Sequence, residues 1–244
     1  MTKLFTHSLI GAVLMTLSQA ASSAILLTAV QTDSFSGIPS YTQGSVGQSP
    51  MTFDKFDSTL GTLLNVYVRA NITVDGGNVY VDNEGGAGSG TVDWGANLAI
   101  TSGDVGLFHT GFTQFSATAV NNFAFNLGAD DGDGAGVQST GADFGTAAGT
   151  LTSASDGYHA INAAFISQYI GTGATFNVNY NVAQIFNLSF SSGTSGAFDP
   201  MTSLGSVDIY YEYETVDAPS VPVPASAALL GLGLIGLRRR LIAS

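Results

Sequence analysis

Strict alternation of apolar and polar residues is the feature that most constrains the fold of this chain. In the segment FNVNYNV, Phe176, Val178, Tyr180 and Val182 alternate with asparagines, and residues 207–213 (VDIYYEY) alternate in the same way. A period of two places successive side chains on opposite faces of a β-strand, so both segments are predicted to be half-buried strands with one wet face. Weaker alternation predicts further strands at 25–31, 64–74, 78–81, 91–100 and 122–127.

The segments between these strands are rich in Gly, Asp and Asn, as turns require. The spacing predicts an all-β fold, specifically a single antiparallel β-sandwich of jelly-roll-like topology over residues 25–217. One stretch departs from it: Ile161, Phe165 and Tyr169 recur at helical spacing and predict a short helix or turn. The chain has no Cys, so its stability is expected to come from a packed core without disulfides.

The N-terminus has the organisation of a secretory signal peptide. Lys3 precedes an apolar stretch at 9–17, and small residues follow up to Ala24. We therefore expect residues 1–24 to direct export through the Sec translocon, with cleavage after Ala24.

The charge of the chain between its two ends is strongly acidic. All eighteen acidic residues lie there, against only Lys55 and Arg69, which leaves a net charge of about −16. Such a surface repels nucleic acid and anionic membranes and tolerates divalent cations. The sequence therefore predicts no nucleic-acid partner.

An acidic loop is the sharpest candidate for a binding site. Asp130, Asp131 and Asp133 lie among glycines, and three carboxylates on a flexible loop favour a hard cation such as Ca²⁺. An EF-hand loop would close with Glu at its twelfth position, but that position counted from Asp131 is Ala142, followed by Asp143. A solvated turn therefore stays open as the alternative.

Catalytic motifs are sparse. His109 and His159 lie between the two ends of the chain, and no serine sits in a G-x-S-x-G motif. Both histidines are expected to be structural, and we expect no catalytic residues. Trp94, beside Asp93, is expected to pack in the core, with a sugar-stacking surface as the alternative.

The C-terminal segment has three parts in a fixed order. A short linker at 218–220 leads into VPVPA at 221–225, then an apolar run to 237, then Arg238, Arg239 and Arg240. A helix from 223 to 237 would be about 22 Å long, short of the roughly 30 Å hydrocarbon core. It is expected to insert transiently in a membrane, with the arginines on the cytoplasmic side.

This tail resembles the PEP-CTERM sorting signals, in particular the VPLPA-CTERM variant. The resemblance covers residues 221–244 and implies recognition by an exosortase in the inner membrane of a Gram-negative bacterium that makes extracellular polysaccharide. The residues to which it assigns recognition and stop roles are Val221, Pro222, Pro224, Ala225, Arg238, Arg239 and Arg240. Val223 stands where the commonest form has Glu.

The preceding region is similar to the choice-of-anchor E domain. The residues that carry the likeness are 53–63 (FDKFDSTLGTL), 162–176 with its GTG, and the tyrosine-rich end at 210–213. This resemblance implies an extracellular β-domain and supplies no catalytic residues.

These observations favour a non-enzymatic exported protein of the cell surface or extracellular matrix, associated with exopolysaccharide or biofilm. A calcium-assisted carbohydrate-binding module is the alternative, and a secreted hydrolase is a weaker one.

Overall fold

The computed structural model describes residues 23–37, 49–191 and 193–215, and nearly all their regular structure is antiparallel β-strand. This confirms the all-β prediction. In chain order the strands are β1 (Ile25–Leu27), β2 (Gln31–Gly37), β3 (Met51–Asp54), β4 (Gly61–Asp75), β5 (Asn78–Asn83), β6 (Gly88–Thr101), β7 (Phe108–His109), β8 (Thr113–Gln114), β9 (Ser116–Leu127), β10 (Phe144–Ala148), β11 (Thr152–Ser155), β12 (His159–Ala160), β13 (Thr175–Phe190), β14 (Thr194–Phe198) and β15 (Thr202–Thr215).

Three sheets and one small hairpin organise these strands. The large sheet has the order β1-β15-β4-β11, with β2 also paired to β15 and β12 to β4. A second sheet has the order β3-β13-β6-β9, and a third, of three strands, the order β10-β5-β14. β7 pairs with β8. The long strands β13 and β15 contain the two segments with the clearest alternation, and β4 and β6 contain the predicted strands at 64–74 and 91–100.

The predicted strand at 25–31 is wrong in one respect, because the structure divides it into β1 and the start of β2. Both strands pair with β15, but the register shifts between them: Ile25 faces Glu214, and Gln31 faces Ile209. Thr28 lies in the gap, and its hydroxyl accepts a hydrogen bond from the Tyr211 backbone N–H at 3.0 Å. This cross-strand bond to a side chain thus replaces one backbone hydrogen bond of the sheet.

The segment with helical spacing forms a strand end and a short helix. After β12, a 3₁₀-helix runs over Ala163–Tyr169, and the Asn162 side chain caps it by accepting from the Ala164 N–H at 3.1 Å. Tyr169 is fully buried. The prediction of a short helix or turn is confirmed.

One buried cluster contains the alternating apolar side chains of the large sheet and of the second sheet. Trp94 on β6 lies in it with no exposed surface, so core packing is confirmed over the sugar-stacking alternative. The Trp94 ring meets Phe186 of β13 edge-on and Phe198 of β14 at 4.6 Å between centroids, which joins the second sheet to the third.

Within these described ranges, no helix is long and apolar enough to cross a bilayer. Apart from its last residues, 23 and 24, the predicted signal peptide lies outside them. The same holds for the linker, the VPVPA motif and the arginine cluster.

Candidate functional site

The acidic loop spans residues 128–143, between β9 and β10, and ends beside the central strand of the third sheet. Its two ends are joined by a hydrogen bond from the Gly128 N–H to the Ala142 carbonyl at 2.8 Å. The Asp130 N–H donates to the Gly85 carbonyl at 2.8 Å, which fixes the loop to the β5–β6 turn. The loop therefore has a defined position, held by backbone bonds.

The structure brings four carboxylates together in this loop, one more than the three residues singled out in the sequence. Asp130, Asp131, Asp133 and Asp143 each place an oxygen so that all four oxygens lie within 4.8 Å of one another. The first three side chains are exposed, whereas Asp143 is 1% exposed. We call these four residues the acidic cluster.

Backbone N–H groups hold the carboxylates of the acidic cluster in place. The Asp131 N–H donates to Asp143 Oδ2 at 2.9 Å, and the Gly132 N–H donates to Asp130 Oδ1 at 2.8 Å. The Asp133 N–H donates to Asp131 Oδ1 at 3.2 Å. No donor among the described residues reaches Asp143 Oδ1, although that atom is buried.

The carboxylate of Asp133 is affected by its surroundings and by the neighbouring acids. Loss of hydration raises its pKa, and the charges of Asp131, Asp82, Asp143 and Asp130 raise the pKa further. A bound cation would have the opposite effect, because an opposite charge favours the ionised form. The electrostatics of the acidic cluster therefore favour a positively charged ligand.

Two further acids support the loop from behind. Asp82 on β5 is 2% exposed and accepts from the Gln138 N–H at 2.6 Å through Oδ2. Glu84 accepts from the Gly136 N–H at 2.8 Å and from the Ser195 hydroxyl at 2.9 Å. These contacts tie the glycine-rich part of the loop to the third sheet.

A second candidate surface is the side of the large sheet that faces away from the core, here called the outer face. It carries a groove of about 420 Å³ that is lined mainly by hydroxyl and amide side chains. The lining residues are Ser34, Phe35, Ser36, Asn71, Thr73, Leu204, Gly205 and Ser206. Leu204, 52% exposed, adds an apolar surface.

A row of tyrosines continues the outer face beyond the groove. Tyr67 and Tyr210 are cross-strand neighbours whose rings stack with centroids 4.9 Å apart, and Tyr158 meets Tyr210 edge-on at 5.0 Å. The Arg69 guanidinium lies 4.4 Å from the centroid of the Tyr158 ring, a cation–π contact. The rings are half-buried, so their rims stay open to solvent.

Asp208 links the groove to the tyrosine row and neutralises Arg69. Arg69 donates from Nε at 2.9 Å and from Nη2 at 2.7 Å to Asp208 Oδ2, which also accepts from Asn71 at 2.9 Å. Thr32 donates to Asp208 Oδ1 at 2.7 Å. Burial alone would raise the pKa of Asp208, but hydrogen bonds from Thr32, Arg69 and Asn71 together with the Arg69 charge outweigh it and lower the pKa.

This lowered pKa predicts an acid-dependent loss of stability. A depressed native pKa contributes stability that is fully present above the unfolded value of about 3.9 and is lost as the pH falls through the native value. At pH 7, Asp208→Asn is expected to lower the free energy of unfolding by about 1–3 kcal/mol. Urea denaturation at pH 7 and near pH 2.5 should show the difference shrinking in acid. An equal difference at both pH values would contradict this assignment, and Asp75→Asn, an exposed acid, serves as control.

The two histidines lie together, which the sequence did not predict. The rings of His109 and His159 stack with centroids 4.8 Å apart, and His109 also meets Phe115 edge-on at 5.4 Å. His159 Nε2 lies 2.6 Å from the carbonyl oxygen of Asp156. Burial raises the pKa of Asp156, while a hydrogen bond from the Ala70 N–H and the two histidine charges oppose that rise. These contacts pack the two histidine rings against each other and against Phe115.

Two of the segments that resemble the choice-of-anchor E domain contact each other. Phe56 forms an isolated bridge with Ile170, and the Thr172 hydroxyl donates to Asp57 Oδ1 at 2.8 Å. The Thr59 N–H donates to the same oxygen at 2.9 Å, and these bonds lower the pKa of Asp57. The segments therefore serve the packing of the fold.

The chain matches no protein-family model and no curated protein. Among solved structures it is similar to a chain in the structure of the infectious bursal disease virus Gx strain, at 12% identity and a TM-score of 0.16, covering 90% of this chain and 49% of the viral one. It is also similar to a chain in the structure of the Gt strain, at 12% identity and a TM-score of 0.12, covering 90% of this chain and 50% of the viral one. This chain spans about half the length of those viral chains, and TM-scores this low carry no inference about fold or function.

Proposed function

We propose that this chain is an exported, non-enzymatic protein of the cell surface or extracellular matrix, and that the outer face of its large sheet contacts extracellular polysaccharide. The observation that carries the proposal is the hydroxyl- and amide-lined groove together with the tyrosine row on the same face of the large sheet. We also propose that the fold is a jelly-roll-like β-sandwich, because the large sheet and the second sheet contribute side chains to one core.

The chemistry of the outer face matches that of a sugar. Hydroxyl and amide groups of Ser34, Asn71 and Ser206 present both donors and acceptors, as sugar hydroxyls require. The C–H surfaces of sugar rings are apolar and pack against tyrosine rims and against an exposed Leu204. A polymer that lies along the outer face contacts both the groove and the tyrosine row.

The charge of the outer face favours a neutral polymer. Arg69 is already paired with Asp208, and Glu212 accepts from Asn65 at 2.6 Å and from Tyr67 at 3.2 Å. No free cation on this described face could attract a phosphate or sulfate group. With a net charge of about −16 between the chain's two ends, nucleic acid and anionic lipid are disfavoured.

Affinity electrophoresis of the full chain in gels containing purified glucans, mannans or galactans tests this function. We expect retardation by at least one neutral polysaccharide, and the same retardation after chelator is added at 25 °C. Binding that is lost with chelator would favour the calcium-assisted module instead. Unretarded migration in every neutral polysaccharide would overturn the proposal, and turnover of a polysaccharide would favour the secreted hydrolase.

The proposed route to the surface rests on the two ends of the sequence. We infer export through the Sec translocon, transient insertion in the inner membrane of a Gram-negative bacterium, and processing by an exosortase at the VPVPA motif. The order of proline motif, short apolar run and arginine cluster supports this route.

Double processing predicts two new termini in the mature protein. Intact mass spectrometry of the protein from its native host should give an N-terminus at Ile25 and a C-terminus within or next to residues 221–225. Deletion of the exosortase gene should restore the mass of the C-terminal segment and leave the N-terminus unchanged. A mature protein that retains residues 229–240 in the wild-type host would overturn the sorting route.

A further inference from the structure

We propose that the acidic cluster, Asp130, Asp131, Asp133 and Asp143, is a Ca²⁺ site. Four carboxylate oxygens within 4.8 Å of one another fit around one cation, because Ca²⁺ holds its oxygen ligands at about 2.3–2.6 Å and opposite ligands then lie about 5 Å apart. This inference concerns the loop at 128–143 and does not depend on the polysaccharide proposed for the outer face.

The buried side chain of Asp143 is the independent sign that a ligand belongs here. Its Oδ1 atom is buried and has no donor in the part of the chain that the structure describes. A buried carboxylate oxygen that lacks a partner is costly, and such groups are paired or bind metal in proteins. Ca²⁺ would supply the missing partner.

Gly141 shows where Asp143 Oδ1 points. A Cβ atom on Gly141 would collide with both Asp143 Oδ1 and Asp131 Oδ2, so these two oxygens border the same small space. Gly141 has a φ of +111°, which other residues rarely adopt. The glycine thus leaves open the position between two carboxylates of the acidic cluster.

Asp82 adds a second buried acid behind the loop. Its Oδ1 atom is buried without a donor among the described residues, and its Oδ2 atom accepts from the Gln138 N–H of the loop. The carboxylate of Asp82 therefore acts on the same loop. Five acids with few cations nearby give the strongly negative potential that a divalent cation neutralises.

The donor set selects Ca²⁺ among the common metals. All four groups are carboxylates, and the chain has no Cys, so the soft ligands that zinc and copper prefer are missing from the acidic cluster. Mg²⁺ requires a near-ideal octahedron and keeps most of its water, whereas Ca²⁺ accepts irregular, flexible loops. Backbone carbonyls of the glycine-rich loop and water would complete the shell.

Calorimetric titration of the chelator-treated full chain with CaCl₂ tests the site. We expect one Ca²⁺ per chain and a rise in Tm of about 5–10 °C at a concentration about a hundred times Kd. The same concentration of MgCl₂ should give less than about half of that rise. No bound Ca²⁺, or an equal effect of Mg²⁺, would overturn the proposal.

One variant and one matched control locate the Ca²⁺ site. Asp133→Asn changes an exposed side chain, so the variant should fold, and it should bind Ca²⁺ at least about tenfold more weakly. Asp75→Asn removes one charge at the end of β4, just before β5 begins, and this variant should bind Ca²⁺ within about twofold of the wild type. If Asp133→Asn and Asp75→Asn weakened Ca²⁺ binding equally, the ion would be attracted only by the overall negative charge. That result would overturn the proposed site.

Asp143→Asn gives a signature that a purely structural aspartate would not. The amide is isosteric, and it relieves repulsion within the acidic cluster when Ca²⁺ is absent. We therefore expect its Tm to equal or exceed the wild-type Tm in chelator and to fall below it in Ca²⁺. A lower Tm by the same amount in both conditions would assign Asp143 a structural role and contradict the proposal.

Discussion

Replacing Trp94 with alanine is expected to lower the free energy of unfolding by about 3–5 kcal/mol. The side chain has no exposed surface, and it contacts Phe186 of β13 and Phe198 of β14. Its loss leaves a cavity where the second and third sheets meet. Since domains of this size are stable by about 5–15 kcal/mol, the variant should be close to unfolding at 37 °C.

Trp94→Phe separates ring packing from the indole N–H. That N–H is buried, and none of the described residues accepts a hydrogen bond from it. Phenylalanine keeps an aromatic ring and removes the unpaired donor, so the loss should be at most about 1.5 kcal/mol.

Urea denaturation followed by circular dichroism measures the effect of each change. Leu151→Ala, at a side chain that is 68% exposed, should change stability by less than about 0.5 kcal/mol. A loss below about 1 kcal/mol for Trp94→Ala would contradict the core that the structure shows.

The second large effect is expected on polysaccharide binding, from Tyr210→Ala. Tyr210 stacks on Tyr67 and meets Tyr158 edge-on, so its removal disrupts the whole tyrosine row of the outer face. We expect at least about a tenfold loss of affinity for the neutral polysaccharide that retards the wild type. Tyr210→Phe retains the ring and should lose less than about threefold.

Tyr80→Ala is the matched control for this change. Tyr80 is a half-exposed tyrosine on β5, and its hydroxyl donates to Asp199 at 2.6 Å, away from the outer face. Its affinity should stay within about twofold of the wild type. Equal losses for the Tyr80 and Tyr210 variants, at matched Tm, would show that the outer face is not the binding surface.

Residue alternation predicted the strands that contribute most to the core, because burial on one face imposes a period of two on the sequence. The short strands β10 (FGTAA), β11 (TSAS) and β14 (TSGAF) were missed. They consist largely of Gly, Ala, Ser and Thr and carry little alternation. Their strand conformation comes from pairing with β5 and β4, which are distant in sequence.

The candidate sites were predictable only in part, for a related reason. Asp130, Asp131 and Asp133 are neighbours in sequence, whereas Asp143 joins them because the loop closes on itself at Gly128 and Ala142. Comparison with an EF-hand loop set Asp143 aside, because it lies one position beyond the twelfth and is not Glu. The signal that would have found it is an acid directly before the next strand, two residues after a glycine.

The outer face depends on strand register and could not be predicted from local sequence. More than half of the chain separates Tyr67 from Tyr210 in sequence. They become neighbours only because β4 and β15 pair in one particular register. A shift of one residue would turn one of the two tyrosines toward the core. Alternation predicts the outward face of a strand but does not identify its partner.

The most direct test of the central claim, that the outer face contacts polysaccharide, is hydroxyl-radical footprinting of the full chain with and without a saturating neutral polysaccharide. Contact at the outer face should protect Tyr67, Tyr158, Tyr210 and Leu204 and leave the labelling of Tyr80 unchanged. Protection confined to other surfaces, with these four side chains labelled as in the free protein, would contradict it.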